Sequence, residues 1–321
     1  VIYNNVNLKQ QKIFVQGHTS QKLKGGAFAM FTQFFGNYLL QQQLVSPEHL
    51  SEVLQTMNAT RPQLGMLAIN AGLMTAAQVE KAHQKQQRAD KRIGDVMVDM
   101  GYISRENVES LLKAQPAGHL ILGQALVDNG YMTTAQFEQA LNSYKTENSI
   151  SDADFGGESD SSAQRLVRNF YNFNSINGSG YMTGYVSLLF KNLIRFIGSD
   201  FTPMDAHALM GALSASASQR IDGGIHAITI IDADASAMIE FASRFTNEHL
   251  TAEDDYTHTC ISNFINLHNG LFAENLSGTE GLKLDLGPHN FRERFDISEL
   301  SNANVIPVCF SFGTVNFIIA M

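Results

Sequence analysis

The chain has 321 residues, long enough for two ordinary domains with separate cores. Hydrophobic residues make up 44% and charged residues 17%, the balance of a globular protein. A net charge of -9 argues against general binding to nucleic acid, and no apolar run is long enough to cross a bilayer, so a soluble cytoplasmic protein without a membrane span is expected.

Residues 1–29 stand outside every pattern that follows and read as a flexible or non-native N-terminal extension, with Met30 as a candidate initiator. From residue 30 to 145 a repeat takes over. Glycines fall at Gly36, Gly65, Gly94 and Gly123, each 29 residues apart, and the same register gives Leu50, Val79, Val108 and Phe137. Each copy reads as two short helices. A second glycine (Gly72, Gly101, Gly130, with Gln43 in its place in the first copy) ends the first helix. Ser46, Thr75, Ser104 and Thr133 are placed to cap the second, and Gln78 and Gln136 stand where a capping box needs them. Pairs four residues apart, Leu50 and Leu54, Val108 and Leu112, Phe137 and Leu141, predict an apolar stripe that buries against neighbouring helices. His83 interrupts the stripe in copy two and is expected at a helix end, partly exposed.

The middle copies resemble the MshEN-type nucleotide-binding domain of secretion ATPases. Copy three reads Arg92-Ile93-Gly94, Met97, Ile103, Val108, Leu112, Gln115. Copy two reads Gln63-Leu64-Gly65, Ala68, Met74, Val79, His83, Gln86, and five residues, 87–91, separate the two. The resemblance implies cyclic di-GMP as a ligand. Arg92, Gln86 and Gln115 would supply polar contacts, and Gly65 and Gly94 a close backbone approach. Gln63 stands where the motif has a second Arg, and copies one and four lack both the Arg and the terminal Gln. A helical repeat that binds a protein partner fits the same period.

From Thr146 to Gln164 Ser, Asp, Glu and Gly dominate, the composition of a solvated acidic linker. Residues 165–321 then mix periods. Helical spacing marks 165–198, 234–245 and 252–268, the last with a Thr251 cap and Asp254 and Asp255 in its first turn. Strands are predicted at 224–232, 271–276, 282–286, 305–311 and 314–320, with Ser311-Phe312-Gly313-Thr314 as a hairpin turn. The expected architecture is N-terminal all-α helical repeats followed by a C-terminal α+β domain with a mainly antiparallel sheet. Cys260 and Cys309 form no CxxC pair, and no histidine spacing suits a metal, so no cofactor or metal is expected.

Within 256–276 a helix places Thr257, Ile261, Phe264, Ile265 and His268 on one face. Asn263 and Asn266 lie together on the other, with Thr259. Two neighbouring carboxamides can orient a water or grip a partner; a solvated polar face gives the same pattern. The frame Asn263-Phe264-Ile265-Asn266 with Gly270, continuing into LHNGLFAENLS and LDLGP, resembles the CheX/CheC/FliY-type chemotaxis phosphatases, the CheX-like group above all. That resemblance implies a CheX-like domain over 165–321 and a phosphorylated response regulator as partner. Asn266 would orient the water that attacks the aspartyl phosphate. Asn263 occupies the position of the family's Glu and carries no charge, which leaves docking with weak phosphatase activity. A homodimer is expected by the same analogy. A non-enzymatic adaptor whose repeats bind cyclic di-GMP or a protein is the alternative.

Overall fold

A computed structural model describes residues 26–114, 116–148, 160–171, 173, 179–209, 213, 216–292, 300 and 303–321. The chain divides into two compact units, one of Phe31–Gly156 and a second that includes Gly157–Met321. The described residues before the division are helical, and those after it form helices with an antiparallel sheet. The predicted extension 1–29 overlaps the first helix, which begins at Gly26; residues 1–25 lie outside the described residues. The predicted linker 146–164 is helical at both ends, to Glu147 and from Asp160, and 149–159 lie outside the described residues.

In the N-terminal unit the copies pair α1 (Gly26–Gln41) with α2 (Pro47–Thr56), α3 (Leu64–Asn70) with α4 (Ala76–Gln86), α5 (Ile93–Asp99) with α6 (Arg105–Lys113), and α7 (Gly118–Asp128) with α8 (Thr134–Glu147). Ser46 accepts from the His49 amide, and Thr75, Ser104 and Thr133 each close a capping box with Gln78, Asn107 and Gln136. Gly72, Gly101 and Gly130 have φ of +67°, +69° and +74°, and Gln43 holds the same turn at +55°. A side chain there costs on the order of 1 kcal/mol, which the rest of copy one absorbs.

The other glycine has a packing role in copies two, three and four. A Cβ on Gly65 would stand 2.5 Å from Val79 Cγ1, one on Gly94 3.1 Å from Val108 Cγ1, and one on Gly123 2.1 Å from the Phe137 ring. The residue 14 positions later therefore seats directly on the first helix of its own copy. Copies two and three share one core of Leu64, Ala68, Ile69, Met74, Val79, Val96 and Met97. Copies one and four close on each other through Phe31, Phe35, Tyr38, Phe137 and Tyr144, whose hydroxyl donates to the Phe31 carbonyl at 3.2 Å.

The apolar stripe buries as predicted at Leu50, Leu54, Phe137 and Leu141, but not in copy three. Val108 is half-buried and Leu112 is 65% exposed. Val108 packs beside Gly94, whereas Leu112, one turn further on, stands at an exposed edge of α6.

The C-terminal unit holds α9 (Asp160–Tyr171), α10 (Ser179–Phe196), β1 (Phe201–Pro203), β2 (His207–Ala208), β3 (Ser216–Gly223), β4 (Ala227–Ala233), α11 (Ala235–Thr246), α12 (Asp255–Glu280), β5 (Leu284–Leu286), β6 (Asn290–Arg292), β7 (Asn304–Phe310) and β8 (Gly313–Ala320). The strand order is β1-β7-β8-β4-β3-β5, with β2 on β7 and β6 on β3, and every described pairing is antiparallel. Alternation puts Ile228 and Ile230 of β4, with Ile318 and Val305, in an apolar cluster on one face. On the other, Thr229 meets α10 and α12, and Phe241 of α11 packs edge-on to Phe264 of α12 at 5.0 Å. Arg244 of α11 ties the hairpin turn down: its guanidinium donates to Asp200 at 2.7 and 2.9 Å and to Ser311 at 3.2 Å.

Two predicted elements change. Residues 271–276 are helix, not strand, because α12 runs on to Gly281, which has φ +67°. Phe272 and Leu276 continue the buried stripe of Ile265 and His268, and Gly270 is an ordinary helical residue. The cap is Asp254 rather than Thr251: its carboxylate accepts from the Thr257 amide at 3.0 Å, so the helix starts one turn later. Strand β3 carries no apolar alternation in its Ser-Ala-Ser-Gln-Arg stretch and was not expected.

Candidate functional site

Two surfaces hold the predicted residues, one in each unit. In the repeat unit, Arg92 is the exposed residue that precedes α5, in an extended backbone conformation. Beside it opens a groove of about 340 Å³, lined by Leu64, Arg92, Gly94, Val98, Val108 and Leu112 among others. It is the uncovered edge of copy three. Arg105, which sequence reasoning passed over, stands at the rim and pairs with Asp95 at 3.3 Å.

The remaining predicted residues are elsewhere or engaged. Gly65 is buried and its missing side chain makes room for Val79, not for the groove. Gln86 donates to the Lys91 carbonyl at 3.2 Å and so folds the five-residue spacer. Gln115 lies outside the described residues. His83 is half-buried in α4.

The second surface is on α12. Thr257, Ile261, Phe264, Ile265 and His268 are buried, whereas Asn263 and Asn266 are half-buried and Thr259 is exposed, as the helical period requires. The helix is well anchored at its start, where the Thr257 amide holds the Asp254 carboxyl below the usual carboxylate range. Asn266 does not stand alone. Its Oδ1 accepts from Gln219 Nε2 at 2.8 Å, and the same nitrogen donates to the Gly287 carbonyl at 2.8 Å. Gln219 Oε1 accepts from Asn269 Nδ2 at 3.0 Å, and Asn269 Oδ1 accepts from the Tyr185 hydroxyl at 2.6 Å. Gln219, Asn269 and Tyr185 are 2%, 0% and 0% exposed. Sequence reasoning missed Gln219 and Asn269. A signal existed for the second, since Asn263, Asn266 and Asn269 recur every third residue.

Behind this chain lies His268. Its Nδ1 accepts from Asn192 Nδ2 at 2.9 Å, which leaves the ring neutral, and its plane stands at 81° to the Tyr185 ring. Burial lowers its pKa from 6.5 to about 3. Among the described residues no group of three or more His, Cys, Asp or Glu could hold a metal, and Cys260 and Cys309 are free thiols. No described helix is long and apolar enough to cross a membrane.

No protein-family model matches the chain, and no curated protein matches it. Among solved structures it is similar to the chemotaxis protein CheX from Vibrio vulnificus, at 12% identity and a TM-score of 0.37, over 44% of this chain and 98% of that one. It is also similar to a CheC-like superfamily protein from Shewanella sp. PV-4, at 12% identity and a TM-score of 0.36, over 43% of this chain and 95% of that one. A third likeness is to the CheX–CheY–BeF3–Mg complex from Borrelia burgdorferi, at 19% identity and a TM-score of 0.36, over 44% of this chain and 96% of that one.

The buried imidazole makes a pH prediction. The unfolded chain takes up a proton at His268 below about pH 6.5, while the folded chain resists until about pH 3. Stability from this residue is therefore present above pH 6.5 and is lost as pH falls, by about 1.4 kcal/mol per unit. Between pH 7 and pH 5, denaturant unfolding of the parent should lose about 2 kcal/mol more than that of His268→Gln. Equal losses in the two proteins would contradict a neutral buried ring.

Proposed function

We propose that the C-terminal unit docks on the phosphorylated receiver domain of a chemotaxis-type response regulator and presents Asn266 to its aspartyl phosphate. The observation that carries this reading is the pair Asn263 and Asn266, one turn apart on the open side of a long, capped helix, with Asn266 held by a buried partner. Phosphoryl transfer of this kind depends on positioning and charge more than on covalent chemistry by the protein. A held carboxamide supplies position. Asn263 supplies no charge, so it cannot pair with a lysine on the regulator, and hydrolysis is weak while docking remains.

The test is phosphate loss from a purified CheY-type regulator after addition of this protein. The expected rate exceeds that of the regulator alone, Asn266→Ala removes the excess, and Asn263→Glu raises it roughly tenfold, the worth of one charge-assisted hydrogen bond. A rate equal to that of the regulator alone, unchanged by either substitution, would sink the phosphatase reading.

A second reading concerns the repeats, and the open groove beside Arg92 is what favours it. Apolar walls of Leu64, Val98 and Leu112 with guanidinium groups at the rim suit a flat, anionic ligand, and the motif resemblance points to cyclic di-GMP. Calorimetry with that nucleotide should show binding that weakens by roughly ten- to a hundredfold in Arg92→Ala. No heat at high micromolar ligand, or an unchanged affinity in the variant, leaves the repeats as a protein-binding scaffold.

A further inference from the structure

We infer that Gln219 fixes the carboxamide of Asn266 with Oδ1 inward and Nδ2 outward, so that this position on α12 is a hydrogen-bond donor for an anionic oxygen. The inference deepens the docking reading above and, as a statement about a phosphoryl ligand, rests on it.

The orientation follows from donor and acceptor arithmetic. A backbone carbonyl can only accept, so the Gln219 atom 2.8 Å from the Gly287 oxygen is Nε2. That leaves Oε1 for the other side, where it faces Asn269, and Asn269 must present its Nδ2. Asn269 then turns its Oδ1 to the Tyr185 hydroxyl, whose proton burial holds firmly on the oxygen. The chain is satisfied in this polarity alone. Reversing Gln219 would put two oxygens 2.8 Å apart at Gly287, and reversing Asn269 would put two oxygens 3.0 Å apart at Gln219.

Asn266 is the outer end of the chain. The second proton of Gln219 Nε2 points at it, so the Asn266 atom at 2.8 Å is the acceptor, Oδ1. Its Nδ2 faces away and has no hydrogen-bond partner among the described residues. A free carboxamide flips at little cost. This one does not, because a flip would set donor against donor beside a buried network in which each lost bond is expensive. Asn266 therefore gives N–H to whatever sits on the helix. A phosphoryl oxygen accepts such a bond. A water can accept it too, but through its lone pair, with its own protons turned elsewhere. Asn266 can thus place a water or a phosphoryl oxygen and cannot draw a proton from the water. Gln219 is a positioning residue, with Asn269 and Tyr185 behind it.

The experiment is NMR on the full chain labelled with 15N and 13C, read through hydrogen-bond couplings and side-chain amide exchange. Couplings from Gln219 Nε2 to Asn266 Cγ and to the Gly287 carbonyl carbon are expected, with slow exchange at Gln219 Nε2 and fast exchange at Asn266 Nδ2. A coupling from Asn266 Nδ2 to Gln219 Cδ, or protected Asn266 amide protons, overturns the inference. In Gln219→Glu the new side chain can only accept, so Asn266 should turn Nδ2 inward and its protons should become protected. If that variant fails to fold, Gln219→Met removes the partner at similar volume, and Asn266 should then lose its single orientation while the backbone signals of α12 stay in place. An Asn266 amide indifferent to either change overturns the inference. In the phosphate-loss assay, Gln219→Glu should lower the turnover excess on the order of tenfold and leave the half-saturating regulator concentration little changed. Expected couplings without any phosphate loss would leave the orientation standing and sink the phosphatase reading. Reversed couplings with phosphate loss intact would do the opposite.

Discussion

A row of buried amides joins the sheet of the C-terminal unit to its longest helix. Gln219 on β3 and Thr229 on β4 are direct cross-strand partners, so both rise from the same face of the sheet. Asn269 and Tyr185 come down on them from α12 and α10. Leaving one such buried group unpaired costs about 1–3 kcal/mol, so the row holds only if the helix sits at one height and one rotation over the strands. That requirement puts Asn263 and Asn266 at the open edge of the helix. The apolar contacts, Phe241 on Phe264 among them, supply most of the stability. The amides supply register, because apolar packing alone tolerates sliding and a satisfied polar chain does not.

The repeat unit reaches its form by a different constraint. Most of its helices are too short to be stable alone, and copies two, three and four are each closed by a residue seated on a glycine. Copies one and four meet through aromatic rings, and copies two and three through aliphatic side chains. The first arrangement covers the apolar face of α8, whose Phe137, Ala140, Leu141 and Tyr144 are all buried. The second leaves α6 with no fully buried residue at all. An apolar groove with an arginine on its rim is the result.

What could be read from the sequence was whatever a local rule enforces. The glycine period, the caps at Ser46, Thr75, Ser104 and Thr133, and the final hairpin are set by backbone geometry, and their residues announce it. The polar face of α12 was legible for the same reason, because helical period places Asn263 and Asn266 together whatever surrounds them. What stayed hidden depends on tertiary partners. Leu112 has the spacing of a buried residue, but burial needs a neighbour that the period cannot supply. Residues 271–276 look like a strand because Leu, Phe and Leu suit one, and only the packing of Phe272 and Leu276 shows that the helix continues. Gln219 sits in a run of small polar residues that reads as loop. Its partners lie 47, 50 and 68 residues further along the chain, beyond any local pattern.

If the amide row is one unit, its members cannot contribute independently. A double-mutant cycle on Tyr185→Phe and Asn269→Ala, read by denaturant unfolding of the C-terminal unit, measures that directly. The account predicts a coupling energy of about 1 kcal/mol or more, because either change already breaks the row. Effects that add to within about 0.3 kcal/mol would contradict it.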